Sequence, residues 1–296
     1  MISTKNETGV YPSAPATIPE CKFVGRSDEL RLCKAAFGIK DDWTFDDSLA
    51  PLHFRLEGPP GVGKNEIVYE IARNLARSMK MPFYMIQGHE EMTPEDLSIL
   101  IAPDPDANTP LGLRRRASPL ATALCVGGLF FFDEINRVPE RALTPLASVL
   151  DRRCSMYSAT TGDVIEPEDD VARARFRFCC ALNPAVGRSG AGALPDYIDE
   201  RTLPAITVDY HDRATLREIL QSNVTSDSEV LDAFDRWYQD QRVATISVRQ
   251  AITLVMYAMR TRPAAGSLPD ALGRVARSVL RPEQVQSAAD RGAPGR

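Results

Sequence analysis

Two short stretches carry residue types that could transfer a phosphoryl group. The first is "GPPGVGKN", Gly58 to Asn65, in which Gly58, Gly63 and Lys64 keep the GxxxxGK spacing. Successive backbone N–H groups in such a turn cup phosphate oxygens, and the N-terminus of a following helix adds positive potential there. The lysine then supplies a full charge to the terminal phosphates of a nucleotide such as ATP. Pro59, Pro60, Gly61 and Val62 complete the loop and Glu66 follows it. Position 65 is Asn where a Ser or Thr hydroxyl would ligate Mg²⁺. An amide oxygen can also serve a hard cation, provided the bulkier side chain turns its NH₂ away. A working but slow site is the expected consequence.

The second stretch is "LFFFDEINR", Leu129 to Arg137. Four apolar residues push Asp133 and Glu134 out at the end of a buried strand. The aspartate can then hold the Mg²⁺ shell together with Asn65, while the glutamate orients or deprotonates an attacking water. An isolated Asp–Glu pair would read as a surface turn. After "LFFF", in a chain that also has a phosphate loop, the two stretches serve one chemistry.

The elements that must position them are legible as runs. "HFRLEG" (53–58) reads as a strand entering the loop, and Ile67, Val68, Ile71, Ala72 and Leu75 fall on one face of a helix leaving it. "FYMI" (83–86), "LFFF" (129–132), "FRFCCAL" (176–182) and "AITV" (205–208) are short apolar runs suited to buried parallel strands. Beyond residue 211 helical spacing takes over. Val230, Leu231, Phe234, Trp237 and Tyr238 share one face; Ala251, Ile252, Val255, Met256 and Met259 a second; Leu272, Val275, Ala276 and Val279 a third. Ser247 stands where an N-cap would open the second of these helices. Pro145 is awkward inside "ERALTPLASVL", so a kink or a helix start near Thr144 is expected there. The organisation is therefore a flexible arm (1–19), a large α/β nucleotide-binding domain (20–210), a helical lid domain (211–281) and a flexible tail (282–296).

With 296 residues and 44% hydrophobic content the chain can bury real cores. Its net charge of −5 lacks the broad basic footprint of nonspecific nucleic-acid binding. No run is long and apolar enough for a membrane span or a leader, so a soluble, cytoplasmic protein is expected. The six cysteines and three histidines show no metal-site spacing, which suits buried reduced thiols. Arg114, Arg115 and Arg116 read as a solvated loop run.

The order of these motifs, followed by "ALNPA" and a helical lid, resembles the AAA+ ATPases, specifically the MoxR-type branch with its dynein-related relatives. The likeness runs from about Cys21 to Leu280, and "DEINRVP" is close to the Walker B style of that branch. It implies the P-loop NTPase fold: a parallel sheet flanked by helices, then a small all-α lid. Val24 and Gly25, in "FVGRSDEL", match the box lying along the adenine. Asn183 matches sensor 1, Arg201 the arginine finger that reaches a neighbouring subunit, and Arg249 sensor 2. "ERT" around Arg201 departs from the commoner "DRF". Residues 92–120 resemble the helix-2 insert and 152–170 the pre-sensor-1 hairpin. The resemblance further implies a homo-oligomeric ring, usually of six, ATP with Mg²⁺, and a protein client, often handled with a von Willebrand factor A-domain protein. Two alternatives stay open: an NTP-driven motor acting on nucleic acid, and a nucleotide-binding scaffold with little hydrolysis.

Overall fold

The computed structural model describes residues 10–46, 48, 50–103, 112–183, 193–240, 245–280 and 284. Its described residues fall into two compact units. The first takes in 27–58 and 64–207 with the N-terminal segment; the second takes in 20–26, 59–63 and the chain from 208 onward. Loop residues 59–63 thus cluster with the helical unit although they connect elements of the first.

The first unit begins with Val10–Tyr11 (β1), Ser27–Phe37 (α1), Phe54–Glu57 (β2), Lys64–Met79 (α2) and Phe83–Gln87 (β3). Ile99–Pro103 (β4), Leu113–Ala117 (β5), Pro119–Val126 (α3) and Leu129–Asp133 (β6) follow. Then come Glu140–Leu143 (α4), Leu146–Val149 (α5), Met156–Tyr157 (β7), Val164–Ile165 (β8) and Asp170–Arg175 (α6). Arg177–Leu182 (β9), Asp196–Asp199 (α7) and Ala205–Thr207 (β10) close it.

Five strands form one parallel sheet in the order β10-β2-β9-β6-β3. β6 lies inside the sheet between β9 and β3, with both faces covered, which is why its sequence is an unbroken apolar run. Phe130, Phe131 and Phe132 are fully buried, and the ring of Phe130 stacks on Phe178 of β9 at 5.7 Å. On α2 the residues read as one face, Ile67, Val68, Ile71, Ala72 and Leu75, are all buried. The strand register sets the site, because Gln87 of β3 lies opposite Asp133 of β6. The chain does break at Pro145, with Thr144 ending α4 and Pro145 opening α5.

Three readings need correction in this unit and the next. Residues 10–19, expected in a mobile arm, are held down: β1 pairs with β5, Ser13 Oγ donates to Ala117 O at 2.7 Å, and Ala16 N–H donates to Phe83 O at 2.7 Å. Their backbone groups find partners at a strand edge, a signal that Pro and Thr content does not carry. Residues 1–9 lie outside the described residues. Arg114–Arg116 form the middle of β5, not a loop; Arg114 covers the ring of Tyr11 at 3.9 Å. β4 and β5 pair antiparallel within the 92–120 stretch, and β7 with β8 within 152–170.

The second unit carries Arg213–Asn223 (α8), Ser228–Asp240 (α9), Val248–Ala265 (α10) and Leu268–Val279 (α11) around their own core. Ser247 caps α10 in a capping box with Gln250. The buried stripe of α10 is Ala251, Leu254, Val255 and Ala258, whereas Met256 and Met259 are exposed. The buried face is rotated from the one that hydrophobicity alone marks out, because the flexible methionines are apolar without being core. Of the tail from 282, only Gln284 is described. Among the described residues no helix is long and apolar enough to cross a membrane.

Candidate functional site

β2 delivers Gly58 and α2 begins at Lys64, so the lysine sits at a helix N-terminus with its side chain folded inward, 6% exposed. Its Nζ donates to Gly58 O at 2.6 Å and to Asn183 Oδ1 at 2.8 Å. Asn183 directly follows β9, and its Nδ2 in turn donates to Glu134 Oε1 at 3.3 Å. A hydrogen-bonded chain therefore runs from the phosphate-loop lysine through Asn183 to the glutamate after β6. Asn136 Nδ2 donates to Asn183 O at 2.9 Å and steadies the middle link.

Glu134 Oε2 accepts from Arg137 at 3.0 Å and from Gln87 Nε2 at 3.4 Å. The Arg137 pair is an i,i+3 contact with the arginine about half exposed, so its contribution to stability is small. The sequence reading missed Gln87, Asn136 and Arg137. The i,i+3 spacing of Glu134 and Arg137 was visible in "EINR", while Gln87 becomes a neighbour only through the β3–β6 register.

Asn65 Nδ2 donates to Asp133 Oδ2 at 2.8 Å. Its nitrogen, rather than the oxygen expected to meet a cation, faces the acid. Burial raises the Asp133 carboxyl above its ordinary value, and the Asn65 hydrogen bond opposes that shift. Among the described residues no cluster of three His, Cys, Asp or Glu could hold a metal, so a cation here would rely on Asp133 and an amide.

In the helical unit the loop's middle packs closely on the start of α10. A Cβ on Gly61, whose φ is +78°, would stand 2.9 Å from Ser247 Oγ and 3.4 Å from Arg249 Cβ. Only glycine suits both the left-handed conformation and that approach. Within this unit Arg249, on the first turn of α10, therefore stands beside Gly61. Arg26 donates to Val62 O at 2.9 Å and to Asp209 O, so the "FVGR" box and the loop are tied together in the same unit. Val24 and Gly25 lie in that box, and a Cβ on Gly25 would meet Thr215 and His211 within 3 Å.

The structure thus brings Lys64, Asn65, Asp133, Glu134 and Asn183 together. Arg201 takes no part in these hydrogen bonds; its Nη1 donates to Tyr197 O at 2.7 Å. That segment is anchored by Arg55 of β2, whose Nη2 meets Asp199 Oδ1 at 3.1 Å.

Residues 53–199 match the family model of the AAA domain, dynein-related subfamily. Over 211 residues the chain is 25% identical to an uncharacterized protein of Staphylococcus saprophyticus, covering 70% of this chain and 76% of that one. It is 27% identical over 131 residues to the denitrification regulatory protein NirQ of Pseudomonas aeruginosa, covering 44% of each. Among solved structures it is similar to the Thermotoga maritima RuvB Holliday junction branch migration motor, with a TM-score of 0.53 and 16% identity over 93% of this chain and 76% of that one. That likeness shows the fold alone.

Proposed function

We propose, from the premise that residues 53–199 carry an AAA+ domain of the dynein-related kind on a P-loop AAA+ fold, that the chain hydrolyses ATP in an oligomeric ring. The observation that carries this is the connected set Lys64–Asn183–Glu134, a phosphate cation, a water-orienting amide and a carboxylate within hydrogen-bond reach of one another. Lys64 takes the terminal phosphates, and in doing so gives up Asn183 Oδ1. Asn183 and Glu134 then hold a water between them, with Glu134 accepting its proton. Arg201 acts from a neighbouring subunit on the γ-phosphoryl charge, and Arg249 reports the phosphate to the helical unit. The ring, six-membered on the MoxR pattern, would remodel or activate a cytoplasmic protein client, with a von Willebrand factor A-domain protein as the associated partner.

The donor chemistry near Asp133 suits Mg²⁺, which accepts a carboxylate and a neutral amide oxygen. Asp133 and Asn65 would hold it, and Asn65 has to give up its present hydrogen bond and turn its amide over to do so. When bound, Mg²⁺ would neutralise negative charge on the phosphates. Asn65→Thr removes that competing bond and restores a hydroxyl. In a fluorescent-nucleotide titration it should lower the Mg²⁺ needed for half-maximal binding by about tenfold, the worth of one charge-assisted hydrogen bond. An unchanged Mg²⁺ requirement would show that the bond does not compete.

The same Asn65–Asp133 bond favours a second reading, a nucleotide-binding scaffold that turns over little. Phosphate release by wild type and Glu134→Gln decides between them. We expect the variant to bind ATP normally and to lose activity on the order of a hundredfold, as removal of a general base does. Equal release by both proteins would leave only the scaffold.

A further inference from the structure

We propose that Gly88 is a positioning residue for Glu134: its missing side chain lets β3 end against the glutamate's backbone and so fixes where the carboxylate points. The inference rests on the reading of Glu134 as the water-activating group. Gly88 is absent from the positive-φ positions, so backbone conformation does not explain the glycine. Space does. A Cβ built there would lie 2.5 Å from Glu134 O, 3.1 Å from its carbonyl carbon and 2.7 Å from Val138 Cγ2. The first two of these are backbone atoms, which cannot swing away as a side-chain end can. Gly88 N–H also donates to Asp133 O at 2.8 Å. The glycine therefore holds both peptides that flank Glu134, the preceding one by a hydrogen bond and the following one by close approach.

Glu134 needs that grip. Its φ of 52° and ψ of 40° put it in the left-handed region, which is disfavoured for a residue with a Cβ. Such a conformation persists where the surroundings over-determine it. Here the surroundings are Gly88, the Arg137 N–H that donates to Glu134 O at 3.0 Å, and Val138. A methyl at 88 has to push Glu134 O back by about an ångström to reach ordinary contact. Lys64 opens α2 and Asn183 directly follows β9, so neither shifts with the end of β3. The carboxylate loses its register with the Asn183 amide while the phosphate-binding groups stay in place.

The test compares wild type, Gly88→Ala and Glu134→Gln in steady-state phosphate release, fluorescent-nucleotide binding and thermal melting. Gly88→Ala should hold nucleotide within about threefold of wild type and lose kcat on the order of a hundredfold, the cost of a misplacement of that size, with KM little changed. Adding Val138→Ala removes one of the two collisions, and part of kcat should return relative to Val138→Ala alone. That double variant is also the comparison to make if Gly88→Ala does not fold. Wild-type kcat in folded Gly88→Ala, or equal losses in affinity and kcat, would overturn the assignment. Wild type no faster than Glu134→Gln would instead remove the base reading beneath it.

Discussion

Lys64→Ala should weaken ATP binding about a thousandfold, some 4 kcal/mol, with hydrolysis lost in proportion. The lysine is the phosphate loop's full positive charge, set at the first residue of α2 and sequestered from solvent. A charge at a helix N-terminus inside a partly dehydrated turn is worth more to a polyphosphate than the same charge on an open surface. Two of its donors are already directed, to Gly58 O and Asn183 Oδ1, so little ordering entropy is spent when phosphate replaces those oxygens. The substitution also strands both acceptors, and a melting-temperature loss equivalent to about 1–2 kcal/mol should accompany the binding defect. Calorimetric titration of the folded variant checks the main effect. ATP bound within tenfold of wild type would mean that the loop does not cradle phosphate in the way described.

Arg55→Met should destabilise the first unit by about 2–3 kcal/mol. Arg55 is buried on β2, and its guanidinium reaches four groups at once, the Thr202 hydroxyl at 3.3 Å among them. Nε meets Glu57 Oε1 at 2.5 Å, Nη2 meets Asp199 Oδ1 at 3.1 Å, and Nη1 donates to Asp199 O at 2.7 Å. Removing one partner of a buried pair leaves the other charges poorly compensated, a loss of about 3–5 kcal/mol when both are sequestered. Glu57 and Asp199 are 33% and 49% exposed and can rehydrate, so the lower figure applies. The segment released is α7 and the turn bearing Arg201. Denaturant unfolding measures the stability; a change below about 0.5 kcal/mol, the size of an ordinary surface substitution, would show that the cluster is not a tie. On the proposed ring, with Arg201 acting across subunits, phosphate release by the same variant should fall more than its nucleotide affinity.

What could be foreseen from residue order was whatever is written in neighbouring positions. "GPPGVGK" makes its turn and meets its helix within a few residues. "LFFF" is a strand buried on both faces because nothing polar interrupts it, and the helices after residue 211 carry their own stripes. The parallel α/β sheet with a helical region after it followed from those local patterns, and the family likeness from their order. Where local composition misled, tertiary packing had overridden it. Arg114–Arg116 look like a loop until β1 and β4 supply their partners, and Met256 faces outward although it is apolar.

The site itself was decided by contacts that no periodicity contains. Lys64 and Asn183 are 119 positions apart, Asn65 and Asp133 are 68 apart, and which of them meet depends on β9 and β6 lying side by side in the sheet. Sequence proposed an amide oxygen for a cation; folding turned the nitrogen toward Asp133. Sequence supplied Gly88 without a reason, and only the approach of β3 to the left-handed turn at Glu134 gave it one. Short-range chemistry is fixed by bonded neighbours, whereas long-range chemistry waits on strand order and register, which are settled by the burial of the whole sheet.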